Sequence, residues 1–381
     1  MSRKVMIALN TAWNLYNFRA GLIRALVAEG YEVVAVAPPD EYADRLASLG
    51  CRYVPLAMDN QGTRPGRDML LLWRFLRILQ RERPDVYLGY TIKPNVYGSL
   101  AAHLCDIPVI NSITGLGVGF SKDNWLKRVV RGLYRLALAD SRQVFFHNSD
   151  DMQMFVADGL VKANIAARVP GSGINLASFH PAPLPTASGG RLRFLLVARM
   201  LWDKGVGEYI EAARLVRKRY PDVEFCLLGF LDVKNPAAIS SEQIKEWVSE
   251  GVVSYLGVTD DVRPILASVD CVVLPSYRGE GAPRTLLEAA AMGRPVVTTD
   301  AVGCREVVDD GINGFLCKVR DAQDLAEKLE RIIQLSPEER AAMGRNGRAK
   351  VEREFSERRV VMRYLETIET IMREQSKKTD V

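Results

Sequence analysis

Residues 278–293 read RGEGAPRTLLEAAAMG and set two carboxylates, Glu280 and Glu288, eight positions apart across a turn containing glycine and proline. The longer stretch LPSYRGEGAPRTLLEAAAMG predicts strand, loop and helix, with Pro283 near the first helical turn and Gly293 at its C-terminal end. The opening amides of a helix lack partners within it, so those of Arg284, Thr285 and Leu286 form an anion seat. Gly281, Ala282 and Pro283 let backbone come close to a ligand. Glu288, about one turn into the helix, can accept two hydrogen bonds from a vicinal diol such as a ribose. Glu280, outside the turn, can reach hydroxyls at the other end of the same ligand. Two acids bracketing a phosphate seat suit a nucleotide sugar. By spacing alone, the same pair also fits a solvated loop acid followed by a helix-surface acid.

The stretch VARMLWDKGV, 197–206, places Arg199 at a strand end and Lys204 five residues on, just before Gly205. A guanidinium grips phosphate oxygens with two parallel bonds, while lysine acts as a mobile point charge. Together they can neutralise a diphosphate and steady it as a leaving group. Taken alone, they also fit a solvated pair at a strand end.

These residues need elements to bring them together. KVMIALN (4–10), YEVVAVAP (31–38), DVYLGY (85–90), PVINSIT (108–114) and QVFFHN (143–148) predict strands in the first half. RLRFLLVAR (191–199), VEFCLLG (223–229), VVSYLG (252–257), DCVVLPS (270–276) and PVVTTD (295–300) repeat the pattern in the second. Continuous apolar strands separated by amphipathic helices predict an α/β fold of two doubly wound, Rossmann-like parallel sheets. The Pro/Gly/Ser-rich stretch 169–190 marks the boundary between them. The expected organisation is a domain over 1–175, a second over 176–358, and a helix over 359–381 packing back on the first. Ligands of open α/β sheets bind beyond the carboxyl ends of the strands, so two such domains are expected to face each other across a substrate cleft.

At 381 residues, the chain is too long for one ordinary core. No apolar run approaches the roughly 18 residues that span a bilayer, and the basic start lacks a signal-peptide cleavage site. Six cysteines without a CxxC pair fit reduced thiols in cytosol. Three histidines without partners at ligand spacing, and no D-x-D loop, argue for chemistry without a metal or other cofactor. Net charge is +5 and unevenly placed: residues 1–180 hold 21 Lys/Arg against 15 Asp/Glu, the remainder 30 against 31. The first half therefore favours an anionic partner. Nucleic acid is disfavoured, since no recognition motif accompanies the charge.

ARMLWDKGV, YLGVTDDV, VVLPSYRGEGAPRTLLEAAAMGRPVV and DDGINGFL, in this order, resemble family 4 of the retaining glycosyltransferases, whose fold is GT-B. The E-x7-E motif of that family is Glu280 to Glu288, and the likeness is dense from about 190 to 320. In the first half GYTIKPNVYGSLAAHL, NSITGLGVGF and PGSGIN look like members that assemble bacterial polysaccharides and glycans. The resemblance implies that Arg199 and Lys204 bind a UDP-sugar's diphosphate, Glu280 the sugar hydroxyls and Glu288 the ribose. Backbone at Arg284, Thr285 and Leu286 would hold phosphate oxygens, and Gly257-Val258 would lie near the uracil edge. Many relatives carry a histidine near the sugar where this chain reads Ser112-Ile113-Thr114-Gly115, so Thr114 takes its place. The family's glycine-rich first loop is replaced by NTAWNLYNFRAG, 10–21, whose Asn14, Tyr16 and Asn17 are candidates to touch acceptor or donor phosphate. GLGVG, 115–119, lacks the spacing of a dinucleotide fingerprint and fits a backbone loop beside the acceptor. Lys93 is a candidate for the acceptor's diphosphate.

Two basic, amphipathic segments remain. NWLKRVVRGLYRLALADSR (124–142) sets Trp125, Val129, Leu133 and Leu136 on one stripe beside Lys127, Arg128, Arg131 and Arg135. MLLLWRFLRILQRER (69–83) sets Leu72, Phe75, Leu76 and Leu79 among Arg74, Arg77, Arg81 and Arg83. Both fit core-packing helices with solvated basic faces, and both fit docking on an anionic membrane. The expected protein is a metal-independent transferase, moving a hexose or N-acetylhexosamine from UDP to a lipid-diphosphate-linked sugar. It would sit in the cytoplasm, peripheral on the cytosolic face of the inner membrane. A nucleotide-sugar epimerase of the same architecture is the alternative enzyme, and a binding protein without turnover is the third reading.

Overall fold

The structure is a computed structural model and describes residues 3–59, 64–115, 125–185, 191–233 and 235–379. Its strands are β1 (Lys4–Ala8), β2 (Glu32–Ala37), β3 (Arg52–Pro55), β4 (Val86–Tyr90), β5 (Val109–Ile113), β6 (Gln143–Phe146) and β7 (Ala166–Arg168), then β8 (Arg193–Val197), β9 (Glu224–Leu228), β10 (Ser254–Tyr255), β11 (Cys271–Leu274), β12 (Val296–Thr299) and β13 (Gly314–Cys317). The helices are α1 (Ala12–Ala28), α2 (Pro65–Glu82), α3 (Ser99–His103), α4 (Trp125–Leu138), α5 (Ser149–Ala157) and α6 (Val206–Arg217), then α7 (Ser241–Ser249), α8 (Arg263–Ala267), α9 (Arg284–Ala291), α10 (Ala322–Gln334), α11 (Pro337–Glu354) and α12 (Glu357–Thr379). The chain forms two compact units, Met1–Ser172 with Glu357–Val381, and Gly173–Ser356.

The first unit holds a parallel sheet in the order β3-β2-β1-β4-β5-β6-β7. Alternation along β1 shows why both faces are covered: side chains one residue apart point to opposite faces of a sheet. Val5 and Ile7 pack with Leu22 and Ile23 of α1 and Tyr364 and Ile368 of α12. Met6 and Ala8 pack with Phe75 and Leu79 of α2 and Ala101 of α3. The second unit repeats the design in the order β10-β9-β8-β11-β12-β13. Phe194 and Leu196 face α6 and α10, while Leu195 faces α9 and α11. These are the two doubly wound sheets expected from the sequence.

Two details differ from expectation. Residues 10–21 are not a loop, because Thr11 caps α1 by accepting a hydrogen bond from the Asn14 amide at 3.0 Å, and the helix runs on from Ala12. Among the described side chains of α4, Val130, Tyr134, Ala137 and Leu138 are buried, whereas Val129 and Leu136 are exposed. Apolar residues stand at neighbouring positions there, and packing against Phe146 and Phe155 selects the register one residue on from the expected stripe. The side chain of Trp125 and residues 116–119 of GLGVG lie outside the described residues. On α2, Phe75 and Leu79 face inward as expected, and Met69, Leu70 and Trp73 are exposed. No described helix is long and apolar enough to cross a membrane.

Candidate active site

In the second unit the strand order reverses between β8 and β11, which pair directly. Their following helices therefore leave on opposite sides of the sheet, and the two loops diverge around a crevice at the strands' carboxyl ends. One loop carries Arg199 and Lys204, and the other carries Ser276, Arg278 and Glu280. Residues 74 to 76 positions apart in sequence are thus neighbours.

Lys204 Nζ lies 2.6 Å from Glu280 Oε1, with both side chains about four-fifths buried. Ser276 Oγ lies 2.7 Å from the same carboxylate oxygen and gives it its one proton. Glu280 is thereby clasped between a cation and a hydroxyl. Asp203 ties the loops a second time: its carboxylate meets Arg278 Nη1 at 3.0 Å, and its carbonyl accepts the Tyr277 amide at 3.2 Å. Sequence reading passed over Asp203, Ser276 and Arg278. Their only signal was their place in the two quoted motifs.

Two glycines make this junction possible. Gly205, at φ +74, starts α6 so close to Pro275 that a Cβ would collide with its carbonyl oxygen. Gly303, at φ +80, lies against the Glu280 and Gly281 carbonyls and leaves the same lack of room. The Glu280 amide donates to Val302 at 3.1 Å.

The helix after this loop begins at Arg284, with Pro283 as its cap residue and Gly293 at φ +74 beyond its end. Thr285 Oγ1 donates to the Val197 carbonyl at 3.2 Å and fastens α9 to the end of β8. The Leu286 amide, expected in the anion seat, donates instead to the Pro283 carbonyl at 3.1 Å. A tightened first turn satisfies one of its own orphan donors in this way. Gly281 and Ala282 are half-buried beside it. Gly257, at φ +81, and the exposed Val258 follow β10, two strands from β8 on the same carboxyl edge. Arg199 is exposed at the end of β8, and no ion pair to it is present among the described residues.

Glu288 accepts from Arg284 Nε at 2.8 Å, and its side chain is 14% exposed. Burial pushes its carboxyl above the usual range, and the Arg284 guanidinium offsets part of that rise. Two pH responses of opposite sign follow. On the expectation that Glu288 receives the ribose of UDP, protonation removes an acceptor, so UDP affinity should fall as pH drops through the raised value, above the pH at which an exposed carboxylate titrates. The fold binds this proton more tightly than the unfolded chain does, so the group's contribution to stability rises as pH falls through the same window. Calorimetric UDP titrations from pH 8 to 5 should show the acid-side loss, and Glu288→Gln should flatten it. A loss of the same size in Glu288→Gln would assign it to another group.

In the first unit the corresponding reversal lies between β1 and β4. Asn14, Tyr16 and Asn17 sit in the first turns of α1 beside it, where Asn14 Nδ2 donates to Asn10 Oδ1 at 2.8 Å and Asn17 Nδ2 to the Trp13 carbonyl at 3.0 Å. The Tyr16 ring leans on Tyr42 at 5.7 Å between centroids. Lys93, after β4, is bound to Asp68 at 2.8 Å. Thr114 and Gly115 follow β5. Beneath that loop, Tyr364 of α12 donates to Ser112 Oγ at 3.0 Å, which lies 3.2 Å from His147 Nε2. Burial and the nearby Arg19 charge hold the His147 imidazole down at about 3, so it is neutral near pH 7. Sequence reading found no histidine at this edge because His147 follows β6 rather than β5.

Residues 18–171 match the family model for a glycosyl transferase 4-like domain, and residues 191–335 match that for glycosyl transferases group 1. The chain belongs to this family of glycosyltransferases, and its paired parallel sheets are those of the GT-B fold. Among curated relatives it is 29% identical, over 94% of its own length and 96% of the other's, to N,N'-diacetylbacillosaminyl-diphospho-undecaprenol alpha-1,3-N-acetylgalactosaminyltransferase of Campylobacter jejuni. It is 24% identical, over 70% of each chain, to UDP-Gal:alpha-D-GlcNAc-diphosphoundecaprenol alpha-1,3-galactosyltransferase of Escherichia coli. Among solved structures, HepE of Anabaena in complex with UDP and glucose superposes with a TM-score of 0.76 at 19% identity, covering 96% of this chain and 99% of that one. A glycosyltransferase from Rickettsia africae gives 0.79 at 16% identity, covering 97% and 99%. The epimerase alternative finds no support in these relatives.

Proposed function

We propose that this transferase moves a hexose or N-acetylhexosamine from UDP to a polyprenyl-diphosphate-linked saccharide, with retention and without a metal ion. The observation that carries the reading is the Lys204–Glu280 contact at the β8/β11 reversal, where a cation and a hydroxyl-binding acid meet. The relatives named for undecaprenol-linked acceptors support the acceptor class, and HepE with UDP and glucose supports the donor class.

In this reading Glu288 takes the ribose, Gly257 and Val258 border the uracil, and the turn from Gly281 to Leu286 lies along the diphosphate. Glu280 orients the sugar hydroxyls. The bond from anomeric carbon to phosphate oxygen breaks as the acceptor hydroxyl attacks from the same face, and its proton passes to the departing phosphate. Arg199 and Lys204 carry the negative charge that grows there. Asn14, Tyr16, Asn17, Lys93, Thr114 and Gly115 belong to the acceptor side.

The test is to incubate purified protein with UDP-hexoses and UDP-N-acetylhexosamines, with and without a lipid-diphosphate-linked sugar, in the presence of EDTA. UDP release that requires the acceptor and survives EDTA supports the proposal. A new UDP-sugar epimer would make the chain an isomerase, and donor binding alone would make it a binding protein.

The same reading places the enzyme on the cytosolic face of the inner membrane, docked through the basic faces of α2 and α4. Arg131 is committed to Asp158 at 2.7 Å, and Arg135 to the Asp158 and Gly159 carbonyls, so reversing either would also disturb the end of α5. Arg128 is exposed next to Val129 and gives the cleaner probe. At about 1 kcal/mol per basic residue near an anionic surface, Arg128→Glu should weaken vesicle binding roughly tenfold. Unchanged sedimentation with phosphatidylglycerol vesicles would remove α4 from the docking face.

A further inference from the structure

A cavity of about 350 Å³ opens in the first unit where the chain leaving β3 meets the first turns of α2, lined by Met58, Asp59, Arg67, Leu70, Arg74 and Lys93 with their neighbours. Lys93 follows β4, so the cavity belongs to the carboxyl edge of the sheet. Its lining carries three cations, Arg67, Arg74 and Lys93, against two acids, Asp59 and Asp68, for a net charge of +1.

The acids are matched to particular cations. Asp68, 5% exposed, holds Lys93 Nζ at 2.8 Å and also hydrogen-bonds Tyr97, so this pair is a fixed part of the wall. Asp59 meets Arg67 at 3.2 Å in a pair whose arginine is 62% exposed. Such exposed pairs are weak, and an entering dianion displaces the carboxylate at little cost. Arg74 Nη1 donates to the Ala57 carbonyl at 2.9 Å and pairs with no carboxylate among the described residues. Its charge is the surplus one.

The outer wall is apolar. Met69, Leu70 and Trp73 lie next to one another on α2 at 63%, 43% and 52% exposure, and Leu70 also lines the cavity. Arg77 stacks over the Trp73 ring at 5.3 Å. Clustered large apolar side chains on a surface mark an interaction site, and basic neighbours select an anionic amphiphile.

We infer that this cavity is the seat of a lipid diphosphate, its phosphates on Arg67, Arg74 and Lys93 and its hydrocarbon chain along Met69, Leu70 and Trp73. The inference rests on the lipid-linked acceptor proposed above and assigns it a surface. Bulk anionic lipid supplies charge but no paired phosphates. Free pyrophosphate supplies the phosphates but leaves the apolar wall uncovered.

The test is flotation of the full chain with phosphatidylcholine vesicles carrying a polyprenyl diphosphate, against vesicles charge-matched with phosphatidylglycerol. Binding should be about tenfold tighter to the diphosphate vesicles, the gain expected of two phosphates meeting arginine forks. Arg67→Gln with Arg74→Gln should lower it to the phosphatidylglycerol level. Asp68→Asn with Lys93→Gln removes both charges of the buried pair together and should do the same without stranding an acid. Met69→Ser with Trp73→Ser should weaken both vesicle types. Equal binding to the two vesicle types would overturn the inference, as would a preference that survives the arginine variants. Inorganic pyrophosphate binding as tightly as the vesicles would reassign the cavity to a soluble anion. No donor is present and no turnover is read, so the two proposals fail separately. Acceptor-dependent UDP release without a vesicle preference sinks the seat alone, and the preference without release sinks the transfer reaction alone.

Discussion

Lys204→Ala should lower the rate of sugar transfer by about 10²- to 10³-fold, the usual cost of removing one preorganised group that stabilises charge in a transition state. The ammonium is not free to wander, because Glu280 holds it at 2.6 Å and Gly205 fixes the backbone directly after it. Removing it takes away the cation that, with the Ser276 hydroxyl, clasps Glu280, so the acid loses alignment as well as its counter-charge. The effect should fall mainly on kcat, since charge on the departing phosphate is greatest when the bond is half broken. Arg199→Ala offers the contrast. Its side chain is exposed and outside that clasp, so its loss should raise KM for the donor more than it lowers kcat. Acceptor-dependent UDP release, measured at saturating and limiting donor, separates the two. A Lys204→Ala enzyme working within threefold of the parent rate would end the leaving-group assignment.

Gly303→Ala should cost both stability and donor binding, although residue 303 is assigned no contact with a ligand. An L-residue held at φ +80 costs about 1–2 kcal/mol for its backbone conformation alone. The added methyl would also run into the Glu280 and Gly281 carbonyls, which can yield only if the Glu280 loop moves outward. That movement would pull Glu280 away from Lys204 and break the Glu280–Val302 backbone bond. Thermal unfolding should come several degrees lower, at roughly 2–4 °C per kcal/mol for a unit of this size. UDP-sugar affinity should fall by at least about tenfold, or 1.4 kcal/mol. A variant with lowered Tm but native donor affinity would show that the loop's position and the site are uncoupled.

Much of the architecture could be read from periodicity, and the misses share one cause. Nine of the ten expected strands are largely buried apolar runs; the tenth, VVSYLG, forms only the two-residue edge strand β10, in which neither residue is buried. The three that escaped, β3, β7 and β13, lie at sheet edges and are only three or four residues long: RYVP has one buried residue, AAR has none, and GFLC is mostly buried but too short for a period to show. The sequence pattern also says nothing of strand order. The reversal between β8 and β11 is what turns Lys204 and Glu280 from separate motifs into one neighbourhood. The pairing of Asp203 with Arg278 spans 75 positions, and that of Tyr364 with Ser112 spans 252. Neither has a periodic signature, because each depends on which strands lie side by side. The error on α4 is of another kind. Two adjacent apolar positions offer two helix faces, and only the partner surface chooses between them.

Helix α12 follows the whole second unit in the chain, yet Val360, Tyr364, Ile368 and Met372 close the core of the first. During synthesis the first unit leaves the ribosome early and must wait with an apolar face uncovered. Residues 173–356 can fold to completion in the meantime. The half of the molecule that is made first is therefore finished last.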